Sequence, residues 1–176
     1  MKAAIMSDRD LNISAVFSDC GKFRHILRAC WDSSLPALGF CCLNPSTAGR
    51  PGRFGRATEG DPSVRKMAGF SERLGYGALV LVNLFDYIAT DPKDLKAAGY
   101  PRSEDRDHWI RKMAQECDGN VVCAWGANAR NLSRPVDVLD MLRSMGVKPK
   151  ALRLSADGTP WHPLMLPYSC ELIDVP

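Results

Sequence analysis

Four short apolar runs, each leading to polar or turn-forming residues, constrain the fold of this chain more than any other feature. The runs lie at residues 37–43, 78–82, 121–124 and 151–154, and they lead to Asn44-Pro45, Asn83, Trp125-Gly126 and His162-Pro163. Apolar runs of this length, bounded by turns, are typical of buried parallel strands. Ligands of open α/β sheets bind at the carboxyl ends of such strands, so the four ends predict one composite site.

Helical segments are predicted between these strands. Asp61 before Pro62 is a good helix start, and Gly75 is placed to end that helix. Two further helices are expected at residues 105–117 and 133–145. Strands that alternate with helices indicate a parallel sheet covered by helices on both faces.

The first thirty residues differ from this pattern. Residues 12–18 alternate roughly with period two, and a turn follows at residues 19–22, which favours an antiparallel hairpin. Residues 23–31 fit either a strand or a helical turn. We therefore expect a single α/β domain over residues 1–176, with a central parallel four-stranded sheet, helices on both faces and an N-terminal antiparallel hairpin. Residues 1–10 are a candidate flexible N-terminus.

Length and composition narrow the class of protein. A chain of 176 residues with 45% hydrophobic and 24% charged residues suits one globular domain. No apolar run approaches the ~20 residues that span a bilayer. The N-terminus becomes charged before a signal-peptide core could form. We expect a cytoplasmic protein without a membrane partner, and the oligomeric state stays open.

Seven cysteines are present, and none of them forms a Cys-x-x-Cys pair. The odd number and the spacing argue against a disulfide framework and against a zinc ribbon. Cysteines inside strands usually behave as small buried hydrophobic residues. We expect no metal and no cofactor, although widely spaced cysteines leave an iron–sulfur cluster open.

Four residues at the strand ends are candidates for chemistry. The side-chain amides of Asn44 and Asn83 donate and accept hydrogen bonds, so each can hold a water or read an amide edge. Gly126 permits close approach of the backbone to a ligand. His162 is held extended by the following proline. Each also has a structural alternative, such as an Asx turn at Asn44 or a structural histidine at position 162.

A basic loop follows the first of these strands. Arg50, Arg53 and Arg56 occur with no acidic residue before Glu59, and the stretch from Arg143 to Arg153 is also basic. Such clusters can follow a phosphate backbone. The hydroxyls and amides of Ser46 and Thr47 offer further donors to an anion. The alternative is a solvated loop and an ordinary basic helix end.

Seven motifs in one order resemble the uncharacterised domain-of-unknown-function family 1643, from about residue 17 to about residue 167. The motifs are Leu43-Asn44-Pro45-Ser46-Thr47-Ala48, Asp61-Pro62-Ser63-Val64-Arg65, Gly75-Tyr76-Gly77, Val82-Asn83-Leu84-Phe85, Ala89-Thr90-Asp91-Pro92, Ala124-Trp125-Gly126 and His162-Pro163-Leu164. One departure is Arg106-Asp107, where members of the family usually have Asn-Asp. This resemblance implies no particular activity.

The order of the strand-end motifs also resembles the uracil-DNA glycosylase superfamily. The Asn-Pro version of the first motif is similar to that of the mismatch-type and single-strand-type enzymes. Leu164 departs from the pattern, because a serine usually follows the His-Pro pair. The resemblance implies a uracil-DNA-glycosylase-like fold and a protein that recognises a nucleobase.

That resemblance also implies roles for individual residues. Asn44 would position an attacking water, Asn83 would read the amide edge of the base, and His162 would hydrogen-bond the departing base. Phe54 or Phe85 would stack on the ring. The expected function is hydrolysis of an N-glycosidic bond in single-stranded, damaged or modified DNA or in a free nucleotide. A non-catalytic module that binds a nucleotide or a modified base is the alternative.

Overall fold

A seven-stranded mixed sheet organises residues 12–46 and 61–176, which are the residues that the computed structural model describes. The strands are β1 (Asn12–Phe17), β2 (Arg24–Cys30), β3 (Ala37–Cys42), β4 (Ala78–Asn83), β5 (Val121–Cys123), β6 (Lys150–Ala151) and β7 (Ile173–Asp174). The helices are α1 (Pro62–Arg73), α2 (Pro92–Ala97), α3 (Arg106–Glu116) and α4 (Arg134–Ser144). Short 3₁₀ turns lie at Ala127–Ala129 and Pro163–Met165.

The strand order β1-β2-β4-β3-β5-β6-β7 corrects the expected four-stranded sheet. The four predicted strands are its parallel centre, since β3 pairs in parallel with β4 and β5, and β5 pairs in parallel with β6. At one side the hairpin joins the sheet through β2, which is antiparallel to β4. At the other side β7 pairs antiparallel with β6. Both additions satisfy backbone groups that the edges of a four-stranded sheet would leave open.

Two apolar clusters cover the two faces of the sheet, so the prediction of helices on both faces is confirmed. Helix α1 contributes Val64, Met67 and Phe70 to one cluster, where they pack with side chains such as Phe40 and Leu81. Helices α3 and α4 contribute to the other cluster, together with alternate residues of the same strands. The period of two along each strand divides the side chains between the clusters.

Helix α1 begins where its capping signal predicts. Asp61 Oδ1 accepts hydrogen bonds from the Ser63 and Val64 amides at 2.9 and 3.0 Å, and Pro62 is the first helical residue. Leu74 caps the carboxyl end, and Gly75 follows with a φ of 87°. Helix α2 has no counterpart among the predicted helices, and β6 is shorter than the predicted run at residues 151–154.

The seven cysteines are all free, and Cys41, Cys42, Cys117 and Cys123 are buried. Burial raises the pKa of the Cys41 thiol to about 12, which keeps it neutral and unreactive near pH 7. Within the described ranges, no group of three or more His, Cys, Asp and Glu side chains is arranged to hold a metal ion. None of the helices in those ranges has the length and apolar character needed to cross a bilayer.

Candidate functional site

A small cavity lies beside the carboxyl ends of the parallel strands, on the face that α1 covers. Strand β3 lies between β4 and β5 in the sheet. The chain therefore leaves β3 toward one side to form β4, and it then crosses to the other side of β3 to form β5. Sheets of this kind bind ligands where the strand order reverses in this way. Asn44, Asn83 and His162 all line the cavity, which has a volume of about 80 Å³. The fold therefore brings together three of the four strand-end candidates.

Asn83 is the most unusual polar residue of the cavity. It ends β4, and only 2% of its surface is exposed. Its Nδ2 and Oδ1 atoms are both buried and have no hydrogen-bond partner among the described residues. A buried polar group without a partner costs roughly 1–3 kcal/mol, and most such groups in native proteins are paired. The amide is thus poised to pair with a group that enters the cavity.

Asn44 is held in place by the backbone. Its Nδ2 donates to the Ala89 carbonyl at 2.7 Å and, more weakly, to the Pro45 carbonyl at 3.3 Å. The Ala89 amide in turn donates to the Pro45 carbonyl at 3.0 Å. These bonds fix the orientation of the side-chain amide, which leaves Oδ1 as the atom that can accept from a water.

His162 enters the cavity from the loop after β6. Its Nδ1 accepts a hydrogen bond from the Leu164 amide at 3.2 Å, which assigns the proton of the neutral ring to Nε2. Burial lowers the pKa of His162, and the Asp61 carboxylate only partly opposes that effect. The ring is therefore neutral near pH 7, and Nε2–H is its available donor.

Gly126 supports His162 and is not part of the cavity lining. Its backbone has φ 77° and ψ −179°, a conformation that is essentially restricted to glycine. A Cβ added at this position would lie 3.2 Å from the His162 Cβ. The Gly126 amide also donates to the Pro160 carbonyl at 3.0 Å. Close packing at Gly126 thus sets the position of the histidine.

Two charged residues that line the cavity, Asp61 and Arg24, were not predicted from the sequence as site residues. Asp61 reads from the sequence as a helix cap, and its second oxygen accepts from the Ser46 hydroxyl at 2.7 Å. Arg24 begins β2 and is only 2% exposed. Burial lowers the pKa of Arg24 to about 10, with Asp61 and Cys42 opposing the shift, so it stays charged near pH 7. No local pattern marked Arg24, because its segment fitted a strand or a helical turn.

Phe85, a predicted base-stacking residue, lies away from the cavity. Phe85 is 5% exposed and packs 5.1 Å from the Tyr100 ring, in the cluster on the opposite face of the sheet. It does not line the cavity that holds Asn83. Ser46 does line it, but its bond to the Asp61 carboxylate makes this an unfavourable place for a phosphate. Thr47, Arg50, Arg53, Phe54 and Arg56 lie outside the described residues.

The second basic stretch is largely engaged within the protein. Arg143 donates to the Val175 carbonyl at 3.3 Å, and Lys150 pairs with Asp174 at 2.5 Å. Arg153 lies over the Trp161 ring, 4.5 Å from its centroid. These contacts occupy some of the donors of the basic stretch, and the Lys150–Asp174 ion pair offsets one of its charges.

Comparison with known proteins places the chain in a family. No curated protein sequence matches it. Residues 24–164 match a protein family, and this range contains all the described cavity residues and all four predicted parallel strands. The chain therefore belongs to the family described as Protein of unknown function (DUF1643).

Proposed function

We propose that the Asn83 cavity binds a nucleobase through an amide edge, in which a ring N–H lies beside a carbonyl. The observation that carries this proposal is the buried Asn83 side chain, whose donor and acceptor both lack partners among the described residues. A pyrimidine edge of this kind presents the complementary acceptor and donor side by side. Pairing with it would satisfy both amide atoms at once.

The other cavity residues fit the same ligand. His162 offers a neutral N–H donor, and Asn44 offers an acceptor oxygen whose orientation is fixed. A cavity of about 80 Å³ holds several waters, since one water needs roughly 10–15 Å³. Apolar side chains such as Val64, Met67 and Leu81 also line it, and they suit the faces of a flat ring.

Hydrolysis of an N-glycosidic bond is the reaction that this arrangement supports. As the bond breaks, positive charge develops on the sugar and negative charge on the base. Asn44 Oδ1 would orient the attacking water, and His162 Nε2–H would donate to the departing base. Arg24 and Asp61 line the cavity with opposite charges, so each could stabilise one of the two developing charges. This reading agrees with the order of motifs that resembles the uracil-DNA glycosylases.

A non-catalytic binding module is the second candidate, and one observation favours it. The Asn44 amide cannot take a proton from water, so it orients a nucleophile without activating it. A protein with this cavity could therefore bind a nucleotide or a modified base without cleaving it.

Calorimetric titration with uracil, thymine, cytosine, their 5′-monophosphates and short single strands tests the binding proposal. We expect at least one of them to bind, and Asn83→Ala to weaken its affinity by about tenfold or more. Asn120→Ala is the matched control, because the Asn120 amide is already bonded to Tyr76 and to the Cys117 carbonyl. Binding that is insensitive to Asn83→Ala, or no binding of any ligand, would overturn the proposal.

Chromatography of the same mixtures separates the two candidate functions. Release of free base would establish the hydrolase, and His162→Gln should then slow release by roughly 10²–10³-fold, the usual effect of removing one such donor. Binding that depends on Asn83 without base release would establish the binding module.

A further inference from the structure

A second and larger cavity lies on the opposite face of the sheet, where helices α3 and α4 begin. Its volume is about 430 Å³, and Arg106, Arg134 and Asp107 form its inner wall. Arg106 is the first residue of α3, and Arg134 is the first residue of α4. The proposed nucleobase chemistry uses none of these residues.

Arg106 is buried and incompletely paired. Only 4% of its surface is exposed, and its Nε and NH1 atoms have no hydrogen-bond partner within the described ranges. Its NH2 atom donates to Asp107 Oδ1. A buried guanidinium with two unused donor atoms is costly unless an acceptor reaches it. An oxyanion that entered the cavity could supply acceptors to this guanidinium.

Arg134 adds a second cation without adding a second carboxylate. It is 5% exposed, its Nε donates to the Leu84 carbonyl at 3.3 Å, and its NH2 donates to Asp107 Oδ1. One oxygen of Asp107 thus serves both arginines. Burial acts to raise the pKa of Asp107, but the hydrogen bonds from Arg106 and Arg134 outweigh it and lower that pKa. The inner wall therefore carries an excess of one positive charge.

Both helix N-termini add to this positive field. The N-cap residues Asp105 and Ser133 make no side-chain capping hydrogen bond. Each helix has 11 residues, and its first amides and its dipole favour a negative charge at that end. Arginine is also the side chain best suited to bind an oxyanion with two donors.

We propose that this cavity is a binding site for a compact oxyanion of the phosphate type, held by Arg106, Arg134 and the N-termini of α3 and α4. The oxyanion competes with the Asp107 carboxylate for the two guanidinium groups. The outer wall carries Arg102, Glu104 and Asp137, which are exposed and have a net charge of −1. Those acids disfavour a long polyphosphate, so the site selects a single phosphate group, either free or at the end of a nucleotide.

Thermal unfolding of the full chain with added sodium phosphate tests this site, with sodium chloride at equal ionic strength as the reference. We expect phosphate to raise the melting temperature more than chloride does. Arg106→Gln should weaken the phosphate affinity by about tenfold or more. Arg111→Gln is the matched control, because Arg111 is an exposed arginine on the same helix, and it should leave the phosphate effect unchanged. Equal effects of phosphate and chloride, or an undiminished effect in Arg106→Gln, would refute the site.

A second variant keeps the test decisive if Arg106→Gln does not fold. Asp107→Asn removes the competing carboxylate, so it should bind phosphate more tightly than the unmodified chain does. Unchanged or weaker binding would refute the proposal.

Uridine 5′-monophosphate distinguishes the two sources of the phosphate group. If uridine 5′-monophosphate binds more tightly than inorganic phosphate, and Arg106→Gln loses that binding, the ligand of the site is a nucleotide. If the two bind equally, the ligand is the free anion. Both ligands are compared in Asn83→Leu, which removes base binding in the first cavity and should leave the effect of inorganic phosphate unchanged.

Discussion

Replacing Asn83 by leucine should stabilise the ligand-free protein and abolish recognition of the amide edge. Most substitutions of buried polar residues destabilise a fold, because they break hydrogen bonds. The Asn83 side chain has no such bonds to lose among the described residues. Its neighbours in the cavity include Leu81, Val64 and Met67, which offer apolar contacts to a leucine of similar shape.

The size of the effect follows from the unpaired amide. Removing a buried polar group that lacks partners recovers roughly 1–3 kcal/mol. The adjoining cavity of about 80 Å³ gives the leucine methyl groups room without overpacking. In a chain of 176 residues, each kcal/mol corresponds to a shift of about 2–4 °C in melting temperature. We therefore expect an increase of at least about 2 °C.

The assay compares the stability of Asn83→Leu with that of Asn120→Leu by urea and thermal unfolding. Asn120 Nδ2 donates to the Cys117 carbonyl at 2.8 Å, and its Oδ1 accepts from the Tyr76 hydroxyl at 3.3 Å. Asn120→Leu should therefore destabilise the protein by roughly 1–3 kcal/mol, while Asn83→Leu stabilises it. If both variants lose stability equally, Asn83 is a satisfied structural residue and the argument for a ligand-reading amide fails.

Three further perturbations test the positioning of the site. Gly126→Ala should lower the free energy of unfolding by roughly 1–3 kcal/mol, because the residue has a φ of 77°, and it should displace His162. Gly21→Ala is the control: the position has open space around it, so ligand affinity should stay intact. Urea unfolding and ligand titration check both variants. Burial lowers the pKa of His162, so below pH about 6.5 the unfolded chain binds more protons than the folded one. Stability should therefore fall as the pH drops through that window, and unfolding at several pH values should show a flatter profile for His162→Gln. Asp61→Ala removes a helix cap and should lower the free energy of unfolding by about 0.5–2 kcal/mol, whereas Asp61→Asn keeps a capping side chain and should lower it much less. If urea unfolding shows equal losses for the two variants, the charge of Asp61, and not its capping, stabilises the fold.

The sequence determined the elements that depend on local chemistry. The Asp61-Pro62 pair specified the start of α1, because a cap acts on amides only two and three residues away. The apolar runs specified the four parallel strands, since their composition and length suit strands buried on both faces. Connections of helical length between them implied parallel pairing, and hence a common edge for Asn44, Asn83 and His162.

Only the tertiary structure decided which side chains share a cavity and which charges are buried. Arg24 lies in the same cavity as Asp61 because β2 pairs with β4, which no pattern within the segment encodes. Phe85 packs against the opposite face because β4 and its alternation end at Asn83, and Leu84 and Phe85 then both join the cluster on that face. Arg106 and Arg134 share Asp107 because two helices far apart in sequence begin side by side. Local propensity acts over a few residues, whereas burial and long-range pairing depend on the complete chain.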